Sequence, residues 1–200
     1  MKTGTTALFF AAQGGFLDIA QILMDSGAPV DSSSVDRATP LFIASQNGHF
    51  KILLFLLAQG AYPDSKRTDG ATPLWIAAQM GHDHIVRQLL KVGANVDSPR
   101  HDGATALFKA SHKGHSSVIE ELLKYKPSLG LLHVSNKNMD LMLCPIVVKQ
   151  LIAAGADATL HNQEGATPLQ LARENKQASI VEYLSSITTD RVNGVPHKAT

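Results

Sequence analysis

Nine histidines, one cysteine and a scatter of basic residues are the side chains with the most chemistry to offer in this 200-residue chain. His49, His82 and His115 recur every 33 residues. One zinc ion gathers its nitrogen ligands at about 2.0–2.1 Å, whereas equivalent positions on successive packed helices stand about 8–10 Å apart. The three cannot share an ion, and a histidine that recurs at a helix–helix turn reads as a backbone hydrogen-bonding group. His82 and His84 are neighbours two apart and do not share a helix face. Cys144 has no histidine at a spacing that would activate it, so it reads as a buried apolar thiol. The phosphate-cradling GxxxxGK[ST], the zinc-binding HExxH and the nucleophile elbow GxSxG are all missing. The expectation is no enzyme, no cofactor and no metal.

The basic residues are more informative. Lys66, Arg67, Arg100, His101, Lys109, His112 and Lys113 fall at related places in two successive stretches, with Trp75 and Phe108 nearby. Arg and Trp are enriched among the residues that dominate interfaces, and such a cluster suits an acidic or phosphorylated peptide. The competing reading is a solvated face over packing aromatics. Gln13, Gln46 and Gln79 form a second series, each a donor and acceptor able to follow an extended peptide backbone.

What must position these groups is a repeat. Thr6-Ala7-Leu8, Thr39-Pro40-Leu41, Thr72-Pro73-Leu74 and Thr105-Ala106-Leu107 are each 33 residues apart, and a glycine follows nine residues after each threonine (Gly15, Gly48, Gly81, Gly114). Thr72 predicts an N-cap whose hydroxyl accepts from the first turn, with Pro73 at the first helical position. Leu74, Ala77 and Ala78 give a short helix one small-residue face, and Gly81 ends it. Ile85, Val86, Leu89 and Leu90 mark a second helix that stops at Gly93. Asn95 to Asp102 reads as an extended loop or hairpin. Phe9, Phe42, Trp75 and Phe108 recur at one position, and for the three phenylalanines packing against their own copies is the preferred reading.

This pattern resembles the ankyrin repeat, with its 33-residue period and T-P-L-H-x-A signature. The usual histidine after T-P-L is aromatic here. The resemblance implies an all-α solenoid of paired antiparallel helices with β-hairpin or loop tips. It further implies a protein or peptide partner, held at the tips and on the exposed face of each inner helix. Carried over residue by residue, that surface comprises Lys66, Arg67, Asp69, Arg100, His101 and Asp102 at the tips. Gln46, Asn47, Trp75, Gln79, Met80, His112 and Lys113 supply the helix face.

The repeats are expected at about 2–34, 35–67, 68–100, 101–132, 133–161 and 162–187, followed by a disordered tail over 188–200. The fifth is degenerate. Thr105 to Thr167 spans 62 residues where two full repeats need 66. LLHVSNKNMDLMLCP, Leu131 to Pro145, has lost the inner-helix pattern, while the outer helix survives at Pro145–Ala154. The segment reads as a degenerate repeat, with a binding insertion as the alternative. The last repeat offers a polar outer face in Gln170, Arg173, Glu174, Asn175 and Lys176. The first offers Leu8, Phe9 and Phe10, which suggests missing upstream repeats or self-association. A spacer or self-assembly role through that face is the alternative to partner binding.

Composition agrees with a globular chain, at 44% hydrophobic and 18% charged residues. A net charge of +1 argues against nucleic acid drawn by overall charge. No apolar run is long enough for a membrane span, and the N-terminus lacks a signal-peptide pattern. The single cysteine suits a reducing compartment, so a cytoplasmic or nuclear protein is expected.

Overall fold

A computed structural model describes residues 5–129, 145–161 and 165–192. Every element in it is a helix, and no strand occurs among the described residues. The described helices group into two compact units, Met1–Pro127 and Ser128–Thr200.

The first unit contains four helix pairs: α1 (Ala7–Gly14) with α2 (Leu17–Asp25), α3 (Pro40–Asn47) with α4 (Phe50–Ala58), α5 (Pro73–Met80) with α6 (Asp83–Lys91), and α7 (Ala106–Lys113) with α8 (Ser116–Leu123). The inner helices α1, α3, α5 and α7 pack in sequence, and so do the outer helices α2, α4, α6 and α8. Each inner helix starts as its threonine dictates. Thr6, Thr39, Thr72 and Thr105 accept at Oγ1 from the amide three residues on, each at 3.2 Å. Each ends on a glycine in the left-handed region, φ 78° at Gly15, 79° at Gly48, 81° at Gly81 and 74° at Gly114. The small residues Ala44, Ala77 and Ala110 are fully buried, which lets neighbouring inner helices approach closely.

The recurrent histidines join successive repeats. His49 Nε2 bonds the Gln13 carbonyl at 2.9 Å, His82 that of Gln46 at 3.2 Å and His115 that of Gln79 at 3.1 Å. Each ring lies so close to the terminating glycine of the preceding repeat that a Cβ on Gly48 would meet His82 Cε1 at 2.9 Å. A second set of ties was not foreseen. Asp31 accepts from the Tyr62 amide at 3.2 Å and Asp64 from the Asn95 amide at 3.0 Å. The signal was present as Gly-Ala-x-x-Asp at Gly27–Asp31 and Gly60–Asp64.

The tips are tight turns. In the second repeat Arg37 N–H donates to the Ser34 carbonyl at 2.8 Å, and Ser34 N–H to Ala38 at 3.0 Å. The third and fourth repeat this at Arg67–Ala71 and Arg100–Ala104. Adjacent tips share one backbone bond each, Thr68 N–H to Asp36 and His101 N–H to Asp69, both 2.9 Å. Loops, the second of the two expected forms, therefore describe these tips: one bond per neighbour does not build a strand ladder.

In the second unit α9 (Pro145–Ala153), α10 (Pro168–Glu174) and α11 (Ala178–Val192) enclose Val148, Ala158, Ala172, Ile180 and Leu184. Thr167 and Gln170 cap each other's backbone amides at the start of α10. The expected polar face is present, with Gln170, Arg173, Glu174, Asn175 and Lys176 all exposed. Helix α11 continues through Val192, past residue 188 where a tail was expected to begin. Ile187 packs on the core and the Thr188 hydroxyl bonds the Leu184 carbonyl at 2.8 Å, which carries the helix past that point. Cys144, the irregular stretch from Leu131 to Cys144 and residues 193–200 lie outside the described residues.

Candidate partner-binding surface

The tips of the third and fourth repeats and helices α3, α5 and α7 bring most of the expected residues into one row. Two turns set its geometry. Asp69 Oδ1 holds the Ala71 amide at 3.1 Å, and Asp102 Oδ1 holds the Ala104 amide at 3.1 Å. Both carboxylates are thus fixed at their turns and face the arginine two residues before them. Arg67 meets Asp69 through two bonds, Nε–Oδ1 at 3.0 Å and Nη2–Oδ2 at 2.5 Å. Arg100 lies between Asp69 and Asp102, at 3.5 and 3.6 Å. The bond from Arg67 is the main cause that holds the Asp69 carboxyl at about 2. The same bond raises Arg67.

Beneath these charges run the aromatics. Arg67 lies 5.2 Å from the Phe42 ring centroid and Arg100 5.1 Å from that of Trp75. Lys109 reaches 5.5 Å from Trp75 and 5.9 Å from Phe108, contacts within the range of cation–π attraction. Burial pushes the Lys109 ammonium down. The aromatic rings themselves are inside. Trp75 is 2% exposed and its indole N–H donates to the Ala104 carbonyl at 2.9 Å. Trp75 was expected on the partner-facing surface; it is instead the platform that presents Arg100 and Lys109. Phe9, Phe42 and Phe108 are buried as packing residues, as expected.

The seven basic residues differ in their surroundings. Lys66 lines a separate cleft beside Tyr62 and Asp64, while its neighbour Arg67 lines another. His101 packs against Gly70, where an added Cβ would meet its ring at 2.7 Å. His112 stacks parallel to Phe108, 6.5 Å between centroids, and its buried Nδ1 meets no hydrogen-bond partner among the described residues. Lys113 and Met80 are exposed, Gln79 and Gln46 half-buried. Asn47 donates to the Gln13 carbonyl at 2.9 Å, so it serves the stack as well as the surface.

A hollow lies at the other end of the row. A cleft of about 760 Å³ is lined by Phe9, Phe42, Ile43 and Gln46 from the inner helices and by Val35, Asp36 and Arg67 from the tips. No triad or carboxylate pair converges in it. Among the described residues no three His, Cys, Asp or Glu side chains gather as metal ligands, and no helix is long and apolar enough to cross a membrane.

A family profile described as ankyrin repeats (3 copies) matches residues 1–67 and 56–131, which together cover 1–131 of the 200 residues. The chain belongs to the ankyrin-repeat family. No curated protein matches it. Ankyrin repeats are in general protein–protein interaction modules, and the threonine caps, terminal glycines and paired helices above are what that family membership consists of in this chain.

Proposed function

We propose that this ankyrin-repeat chain is a non-catalytic binding module that takes a partner protein or peptide across its tips and inner helices. The observation that carries this reading is the pre-ordered row of Arg67, Arg100 and Lys109, fixed over Phe42, Trp75 and Phe108 beside an open cleft. A surface already held in place loses little side-chain freedom on binding. Four cations, Arg67, Arg100, Lys109 and Lys113, stand against Asp36, Asp69 and Asp102, a local excess of one positive charge. That excess suits an acidic segment, whose apolar side chains would enter the cleft at Phe9, Phe42 and Ile43. The side-chain amides of Gln46 and Gln79 make no hydrogen bond among the described residues and are available to a peptide backbone.

The test is capture of partners by the intact chain and by a Gln46→Glu/Lys113→Glu variant, with helix content and melting checked first. Lys113 is exposed and Gln46 half-buried, and neither makes a side-chain hydrogen bond or ion pair among the described residues, so the fold should survive. A partner bound only by the intact chain, more weakly as salt rises, supports the reading. Identical partners on both forms sink it.

A second reading, self-association or spacer use through the first repeat, rests on Phe10, Phe16, Ile19 and Ile22, exposed at 55, 56, 49 and 65%. Sedimentation of the Phe10→Lys/Ile22→Lys variant beside the intact chain decides it. A monomer at high concentration for the intact chain excludes self-association.

A further inference from the structure

The tip of the second repeat departs from its copies twice. Where the third and fourth have Arg67 and Arg100 at the head of the turn, it has Ser34, whose hydroxyl bonds Asp36 in place of a guanidinium. Where they have Gly70 and Gly103 at φ 85° and 80°, it has Arg37 at φ 64°. An L side chain is disfavoured in this left-handed region, and a residue held there against its preference points to a use for the side chain.

Arg37 lines a cleft of about 480 Å³ together with Lys66, Ser33, Tyr62, Asp31 and Asp64. The two carboxylates already serve the backbone, Asp31 at Tyr62 and Asp64 at Asn95. Arg37 and Lys66 make no ion pair and no side-chain hydrogen bond among the described residues. The exposed Ser33 hydroxyl also meets no partner there. Ser33 opens the stretch Ser33-Ser34-Val35-Asp36, with the exposed carboxylate of Asp36 three residues downstream and the half-buried one of Asp31 two residues upstream. Local acidity of that kind fits the basic substrate groove of an acid-directed kinase.

We propose that Ser33 is a phosphorylation site for an acid-directed serine kinase, and that Arg37 and Lys66 receive the phosphate, tying the second tip to the third. The inference is independent of the partner-binding reading. In the step, Ser33 Oγ attacks the γ-phosphorus of ATP. The bond to the β–γ bridging oxygen breaks, ADP leaves, and the hydroxyl proton passes to the kinase's base. The product carries about −1.5 to −2 charge at pH 7 and three acceptor oxygens. Asp31 and Asp64 oppose that charge, so the phosphate's own ionisation reports whether the two cations reach it.

The full chain is incubated with a purified kinase of the casein kinase class and magnesium ATP, phosphate is mapped by mass spectrometry, and its ionisation is followed by phosphorus NMR. Incorporation is expected at Ser33, absent from Ser33→Ala and at least ~10-fold slower in Asp36→Asn. The second ionisation should lie below the ordinary value of about 6. In Arg37→Gly/Lys66→Ser, which leaves the two carboxylates and no cation lining the cleft, it should lie above it. Incorporation elsewhere or nowhere, or the same ionisation in both proteins, overturns the proposal.

Discussion

Ile19 and Ile85 hold the same position in the first and third repeats, 66 residues apart, and their surroundings are opposite. Ile85 is fully buried, as are Ile52 and Val118 at that position in the second and fourth repeats, whereas Ile19 is 49% exposed. Phe10 differs in the same way from Ile43 and Ile76, at 55% against 7% and 5%. At the joint itself His49, His82 and His115 each reach back to a carbonyl of the preceding repeat, and the matching residue in the first repeat is Phe16. Each repeat thus carries an apolar flank that only its predecessor covers. The interface between repeats, rather than the single repeat, is the unit that holds the array together.

The largest expected effect is at that flank. Ile85→Ala should cost about 2–5 kcal/mol, the range for truncating a buried large aliphatic side chain. Ile19→Ala should stay within about 0.5 kcal/mol, as for an exposed substitution. Urea denaturation of both variants measures the difference through the transition midpoints. A large loss for Ile19→Ala would mean that the first flank is covered in solution, and would transfer support to self-association.

A smaller effect separates the fourth repeat from its copies. The position of Ile22, Phe55 and Gln88 is taken by Glu121, 6% exposed. Its Oε1 accepts from Arg87 on the neighbouring outer helix at 2.7 Å and from Lys124 at 2.9 Å. The hydrogen bond from Arg87, then that from Lys124, holds its carboxyl at about 2 against an ordinary 4.5. A carboxyl lowered by folding stabilises the fold fully above its unfolded value. That contribution is lost as pH falls from about 4.5 towards 2. Glu121→Gln should therefore flatten part of the stability decline in this window and lower stability at neutral pH. Asp69 is also held at about 2 and titrates in the same window, so the rest of the decline remains. An unchanged pH profile in urea denaturation would show that Glu121 is not coupled to folding.

Which parts of this were visible in the sequence follows from what recurs. The caps at Thr6, Thr39, Thr72 and Thr105 and the stops at Gly15, Gly48, Gly81 and Gly114 are local and periodic, so spacing alone places them. The histidines were legible as structural for the same reason. Their acceptors, the carbonyls of Gln13, Gln46 and Gln79, lie 36 residues before them and needed the stack to be seen. The basic surface was half legible. Sequence brought Arg67 and Arg100 to adjacent tips, but it does not show that Asp69 folds back onto Arg67 and reaches Arg100 as well. Trp75 misled because an aromatic beside cations looks the same in sequence whether it is exposed or lies beneath them. Glu121 left no trace, since it replaces an apolar or neutral residue in one copy only.

The smallest predicted effect sharpens the comparison among tips. Gly70 and Gly103 adopt the left-handed backbone without a side-chain penalty, and Arg37 adopts the same shape with one. Arg37→Gly removes that strain, but it also loosens the unfolded chain, and the two contributions oppose each other. Neither the Arg37 side chain nor the backbone bond from its amide to the Ser34 carbonyl changes the balance much: the guanidinium makes no bond among the described residues, and the amide is retained in the variant. The net result should be a gain of no more than about 1 kcal/mol, or about 2–4 °C in melting temperature for a chain of this size. Calorimetry of the unmodified protein checks it. A clear loss of stability would mean that the guanidinium already holds the second tip in place, and that strain at Arg37 is the cost of a standing contact rather than of a site kept open for an anion.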